Sequence, residues 1–136
     1  MRLVELTQDV IGTPYKLGSH DCFSLITQYL KKRGFEVPDN LIFKGHKLSE
    51  YPKDYRADPK KMMGIAVDYI ASITTELPPA FAVAGDVLLV RFEDNESLVI
   101  DGGNGTVIAA TEDRGTVVLN QHGYNVKRVF RWVQNL

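Results

Sequence analysis

The stretch Gly12-Thr13-Pro14-Tyr15-Lys16-Leu17-Gly18-Ser19-His20-Asp21-Cys22, with the run Phe23 to Gly34 behind it, decides the fold. Leu3, Leu6, Val10 and Ile11 have the spacing of a short amphipathic helix, which stops before Gly12-Thr13-Pro14. Tyr15 to His20 reads as a loop, and Asp21 as the N-cap of a second helix. Cys22, Leu25, Ile26, Tyr29 and Leu30 fall on one face of it. Lys31, Lys32 and Arg33 suit the negative end of the helix dipole, and Gly34 is a C′ stop. The chain's one cysteine is therefore placed in the first turn of a helix. Free N–H groups there favour a thiolate and lower its pKa, as a nucleophile requires. The plain alternative is a cysteine that packs as a small hydrophobe.

Beyond Gly34, Phe35 to Pro59 reads as a loop with prolines at 38, 52 and 59, a mobile flap in outline. Asp58-Pro59 opens a third helix, N-cap then Pro at N1, with Met62, Ala66, Tyr69, Ile70 and Ile73 as its apolar stripe. After Pro78-Pro79 the period shifts to strands. Asp86 to Phe92, Ser97 to Asp101, Thr106 to Thr111, Thr116 to Leu119 and Val126 to Val133 are expected, with Gly102-Gly103-Asn104-Gly105 as a turn. Helices followed by strands predict an α+β domain, helices packed on a small antiparallel sheet of about five strands. One domain over residues 1–136 is expected: a helical half 1–77, a sheet half 80–136 and a loop insertion at about 35–58.

At 136 residues and 15.3 kDa, with 44% hydrophobic and 24% charged residues, the chain is long and apolar enough to build a core. Sixteen basic against 17 acidic residues give a net charge of -1, which argues against a nucleic-acid partner. A single cysteine allows no internal disulfide. Apolar runs such as Val87 to Val90 are far too short to insert into a membrane. Charges at Arg2, Glu5 and Asp9 argue against a secretory signal, so synthesis in the cytoplasm is expected. No CxxC, HExxH or His-x-His spacing occurs, so neither a metal nor a cofactor is expected. Glu93, Asp94 and Glu96 read as a solvated hairpin tip. Lys44, Lys47, Lys53, Arg56, Lys60 and Lys61 make the middle loop basic, with Tyr51 and Tyr55 interleaved. Such a loop is either a solvated surface or a contact for an acidic polymer or partner chain.

In order along the chain, these pieces resemble the NlpC-type cell-wall cysteine peptidases, which are papain-like. That family has a Gly-x-Pro-Tyr segment leading to a Gly-x-Asp-Cys helix start, set against Gly12 to Tyr15, Gly18 and Asp21-Cys22 here. Its Gly-Asp strand start is matched by Gly85-Asp86, its Gly-x-Gly turn by Gly103-Asn104-Gly105, and its Gly-Val-like step by Gly115-Thr116-Val117. Its final strand, with an aromatic residue and an Arg, is matched by Phe130-Arg131. Phe35-Glu36-Val37-Pro38-Asp39 resembles the phage-encoded, tail-associated members. The resemblance implies the NlpC-type fold, Cys22 as nucleophile, peptidoglycan stem peptides as substrates, and association with a virion or other tail proteins.

The departures are chemical. The family's catalytic His falls on Ser97, and its third polar residue on Ala109. The usually small pair after the nucleophile is Phe23-Ser24. A serine hydroxyl has no useful basicity near neutral pH, whereas an imidazole titrates there. Of the three histidines, His20 adjoins the cysteine in sequence and His46 lies in the middle loop. His122 precedes the last strand, in a loop able to swing over Cys22; its plain reading is a solvated turn residue. The site candidates are thus Cys22, His122 and Ser97. The first reading is a catalytically degenerate structural or binding module on a peptidase scaffold, a phage tail or tail-assembly component. The second is a working peptidase or amidase with Cys22 as nucleophile and His122 or His20 as an unconventional base. The third is a small α+β domain whose cysteine is core.

Overall fold

The computed structural model describes residues 3–36, 42–47, 50–120 and 123–132. The expectations for His122, for Val37 to Asp39 and for the last residues of the chain lie outside these. Helix α1 (Leu3–Thr7) is followed by turns to residue 12, so only the first half of the expected helix is regular. Helix α2 spans Cys22–Lys32. A two-stranded ribbon, β1 (Ile42–Phe43) and β2 (His46–Lys47), and a short helix α3 (Tyr51–Ala57) occupy the middle. Helix α4 is Pro59–Ile73. The remaining strands are β3 (Thr75–Leu77), β4 (Val87–Phe92), β5 (Asn95–Gly103), β6 (Thr106–Thr111), β7 (Gly115–Asn120) and β8 (Asn125–Arg131). They form one antiparallel sheet in the order β3-β8-β4-β5-β6-β7.

Helix α2 begins and ends as its residues dictate. The Asp21 carboxylate accepts from Ser24 N at 2.8 Å, a side-chain N-cap. At the other end, Phe35 N bonds Leu30 O at 3.0 Å, Gly34 N bonds Lys31 O at 3.0 Å, and Gly34 has φ 105. That is a Schellman stop, which needs the left-handed backbone a glycine adopts without cost. Asp58 and Pro59 open α4 as expected, the Asp58 side chain accepting from Lys61 N. α4 buries Met62, Tyr69 and Ile70 of the expected stripe, and Ile65 and Val67 besides.

The sheet is buried on both faces. Ile26, Leu30 and Ile70 of the helices pack on Val87, Leu89, Leu98, Ile100, Ile108 and Phe130. Alternate residues of the same strands, Leu88, Val90, Val99, Val107, Ala109 and Val129, form a second cluster on the other face. Period-2 alternation with both faces apolar explains the continuous run Val87 to Val90. Register shifts at Leu89/Val90 and Asp101/Gly103 add twist. Each fully buried aliphatic side chain contributes roughly 1.5–3 kcal/mol.

The structure adds two details to the expected outline. The sheet has six strands: Thr75–Leu77 pairs with β8 at the edge. It was hidden because three residues carry too short an alternation to stand out. The middle is also more ordered than a loop, since it holds the ribbon and α3. Helix α3 has no buried residue, so it shows no apolar stripe, and Pro52 sits harmlessly in its first turn.

Candidate active site

Cys22 is the first residue of α2, half-buried, and faces the start of β5. The Ser97 hydroxyl and the Leu98 backbone N–H are close enough across that gap to pull its pKa down. Two spaces meet at its side chain. One is an apolar chamber of about 40 Å³ walled by Phe23, Met62, Ile65 and Leu98, with Tyr51 and Tyr55 of α3 over it. The other is an open cleft of about 460 Å³ that runs past Ser97 and Ala109 to Glu96, Glu112 and Asp113. Tyr15 and Tyr55 border both. Among the described residues, every charged side chain lining this cleft is acidic.

The loop ahead of the cysteine is fixed by backbone bonds. Thr116 N donates to Thr13 O at 2.9 Å and Gly12 N donates to Thr116 O at 2.7 Å, so the 12–15 segment is pinned to β7. That places Tyr15 beside Cys22. The tight turn 16–20 is closed by His20 N on Lys16 O at 2.7 Å and by Gly18 N on the Asp21 carboxylate at 2.7 Å. Asp21 is buried, 2% exposed, and its second oxygen also accepts from the Tyr51 hydroxyl. Tyr51 lies 3.2 Å from Ser24 Oγ, and its ring meets Phe23 edge-on at 5.2 Å. One carboxylate thus ties together the loop, the helix start and α3.

The electrostatics overturn one expectation. Burial pushes the Cys22 thiol up to about 11, with the Asp21 charge adding to the rise. The bonds from Leu98, Ser97 and the Phe23 N–H oppose it but lose. At the helix terminus the Asp21 carboxylate already takes the Ser24 N–H and sets a negative charge near the sulfur. At neutral pH the sulfur is a protonated thiol. Burial also raises Tyr15 and Tyr51, each helped by the charge of Asp21, so both are neutral hydrogen-bond donors.

The predicted positions sort as follows. Ser97 and Ala109 line the cleft with Cys22. His20 is held in its turn and is not among the residues lining chamber or cleft. His46 Nδ1 lies 3.1 Å from Asp54 Oδ2, on α3. Tyr124 lines the cleft, while His122 lies outside the described residues. Lys47, Lys53, Arg56, Lys60 and Lys61 are exposed, and Lys44 pairs with Asp68. Glu93, Asp94 and Glu96 are all exposed as expected of a tip, and Glu96 also lines the cleft. Sequence reasoning missed Tyr51 and Tyr55 as site residues; their i,i+4 spacing, which puts both on one helix face, is the signal that was there. It also missed Glu112 and Asp113, which nothing in a polar turn distinguishes.

Among the described residues, no group of three or more His, Cys, Asp or Glu side chains is placed to hold a metal ion. No helix among them is long and apolar enough to cross a membrane.

A capped helix presenting a cysteine to the second strand of a central hairpin defines an NlpC/p60-type fold. The NlpC/p60 domain of the peptidoglycan hydrolase SagA is similar over 93% of this chain and 93% of that one, with a TM-score of 0.58 and 20% sequence identity. At that identity the likeness is one of fold. The chain itself belongs to the family described as a domain of unknown function, DUF6950, which it matches over residues 1–132. It matches none of the curated proteins.

Proposed function

We propose that the protein is a catalytically degenerate binding module on an NlpC/p60-type peptidase scaffold, holding a peptide in the cleft beside Cys22. The observation that carries this is the residue beside the sulfur, a Ser97 hydroxyl where the resemblance calls for a base, with the Ala109 methyl in the same cleft. Neither can take the thiol proton, and a thiol raised to about 11 does not shed it unaided at neutral pH. Loss of the base from such a triad removes several powers of ten in rate. The fold that the SagA peptidoglycan hydrolase domain shares supports peptidoglycan stem peptides as the ligand. So does the acidic lining of Glu96, Glu112 and Asp113, which suits a peptide bearing free amines. The segment Phe35-Glu36-Val37-Pro38-Asp39, through its resemblance to the tail-associated members, supports a phage tail or tail assembly as the setting.

The second reading is an active peptidase or amidase. There Cys22 attacks the amide carbonyl, the amine leaves with a proton, and water releases the acyl group from sulfur. Tyr124, which lines the cleft, favours it, since His122 is two positions away in the sequence. Calorimetric titration with synthetic stem peptides, followed by mass spectrometry of the same mixtures, separates the two. Binding with intact peptide is expected. Cleavage that disappears in Cys22→Ala would overturn the first reading.

A further inference from the structure

We propose that α3 is a hinged cover over the apolar chamber beside Cys22, which opens to take an aliphatic side chain of a ligand lying in the cleft. The ligand rests on the peptide-binding reading above; chamber and cover rest on geometry alone.

The chamber is narrow as it stands. Its volume of about 40 Å³ has room for a water or two. A ligand pocket has several hundred. Its lining by Phe23, Met62, Ile65 and Leu98 gives a water few partners and suits a hydrocarbon. The thioether of Met62 adapts readily to the shape of what enters.

The cover is attached lightly. No residue of α3 is fully buried, and Tyr51, edge-on to Phe23, is the one that packs against the core. Its anchors are the Tyr51 hydroxyl on Asp21 and Ser24, Asp54 with His46, and Pro52 against Gly18. At its far end the helix breaks at Asp58, with φ -151 and ψ 86, before α4 begins. Rotation there lifts Tyr55 from the chamber and leaves the α4 floor, Met62 and Ile65, in the core. An element with few buried contacts and one joint opens at low cost.

Cys22 is the one cysteine, so alkylation reads this site alone. Iodoacetamide and its N-butyl derivative both reach the sulfur from the cleft, and only the butyl tail needs the chamber. The readout is the ratio of the two rates, butyl over parent. In Tyr51→Phe, which keeps the ring and removes the latch, the ratio rises about tenfold, the scale of one hydrogen bond to a charged group. In Ala66→Leu, or the smaller Ala66→Val, the chamber is filled from α4 and the ratio falls to that of free cysteine. Hydrogen exchange in Tyr51→Phe speeds up over residues 51–57 and is unchanged in α2 and β5. An equal ratio in all the proteins overturns the proposal, as does faster exchange spreading to α2 and β5. Failure of stem peptides to bind sinks the peptide reading and leaves these ratios unaffected, so the two failures are distinguishable.

Discussion

The carbonyl oxygen of Thr13 lies where a side chain on Gly115 would begin: a Cβ built there falls 2.2 Å from it. Gly115 also has φ 72, and the next residue's N–H bonds that same carbonyl. Gly115→Ala must push the 12–15 loop off β7 and carry Tyr15 with it. The expected loss is about 3 kcal/mol, or about 10 °C in Tm. Gly105 has a similar φ of 73 with open space around it, so Gly105→Ala shows the backbone strain alone, about 1 kcal/mol. Equal losses in thermal unfolding of the two variants would show that the contact with Thr13 does not matter.

Asp86 and Arg131 join the Gly-Asp strand start to the end of the last strand. Arg131 Nε and Nη2 donate to the two Asp86 oxygens at 2.9 Å each, and Asp86 also accepts from Val83 N at 3.0 Å. The carboxylate side chain is 3% exposed and the guanidinium side chain 34%. Asp86→Asn leaves the guanidinium partly wet, so the cost is moderate, about 2 kcal/mol. In a double-mutant cycle with Arg131→Gln, a coupling of about 1–2 kcal/mol is expected. A coupling near zero in urea unfolding would mean the motif pair is decorative.

The fold was legible where local chemistry decides it. Asp21, Gly34 and Asp58-Pro59 mark helix ends by hydrogen bonding and backbone conformation that do not depend on distant residues, and the long strands carry their alternation openly. What was hidden depends on partners far along the chain. Thr75 to Leu77 becomes a strand because β8 offers an edge. Tyr51 becomes a site residue because Asp21 is there to receive it. Cys22 and Ser97 were placed together through the family pattern. The direction of the thiol's shift was misjudged, because the desolvation that governs it is a property of the assembled site.

A thiol held up by burial makes stability fall in alkali. The folded value of about 11 stands above the ordinary 9.0, so the unfolded chain releases this proton first as pH rises. The contribution is complete below pH 9 and is lost as pH rises to about 11, amounting to roughly 2–3 kcal/mol. Tyr15, Tyr29, Tyr51, Tyr55 and Tyr69 are raised by burial as well and add to the fall at higher pH. Urea unfolding from pH 8 to 11 is expected to show a shallower decline in Cys22→Ala than in the wild type. Parallel curves would place the thiol in water.

Ser97→His tests whether the missing base is all that separates this site from a working one. In the wild type, the rate of Cys22 alkylation should titrate with a midpoint near 11. Ser97 lines the cleft with Cys22, and that cleft, about 460 Å³, has room for an imidazole. An imidazolium there offers a thiolate both a hydrogen bond and a positive charge, which outweigh desolvation in known cysteine–histidine pairs. The midpoint is expected to drop by about 2 units or more, and Ala109→Asn added to it, as a partner for the far ring nitrogen, should lower it further. Stem-peptide cleavage appearing with the drop would mean the rest of the machinery is intact. A drop without cleavage would mean that Phe23-Ser24 or the closed chamber also bars the reaction. A midpoint that stays near 11 would show that residue 97 does not face the sulfur, and the case for a lost base at this position would fall with it.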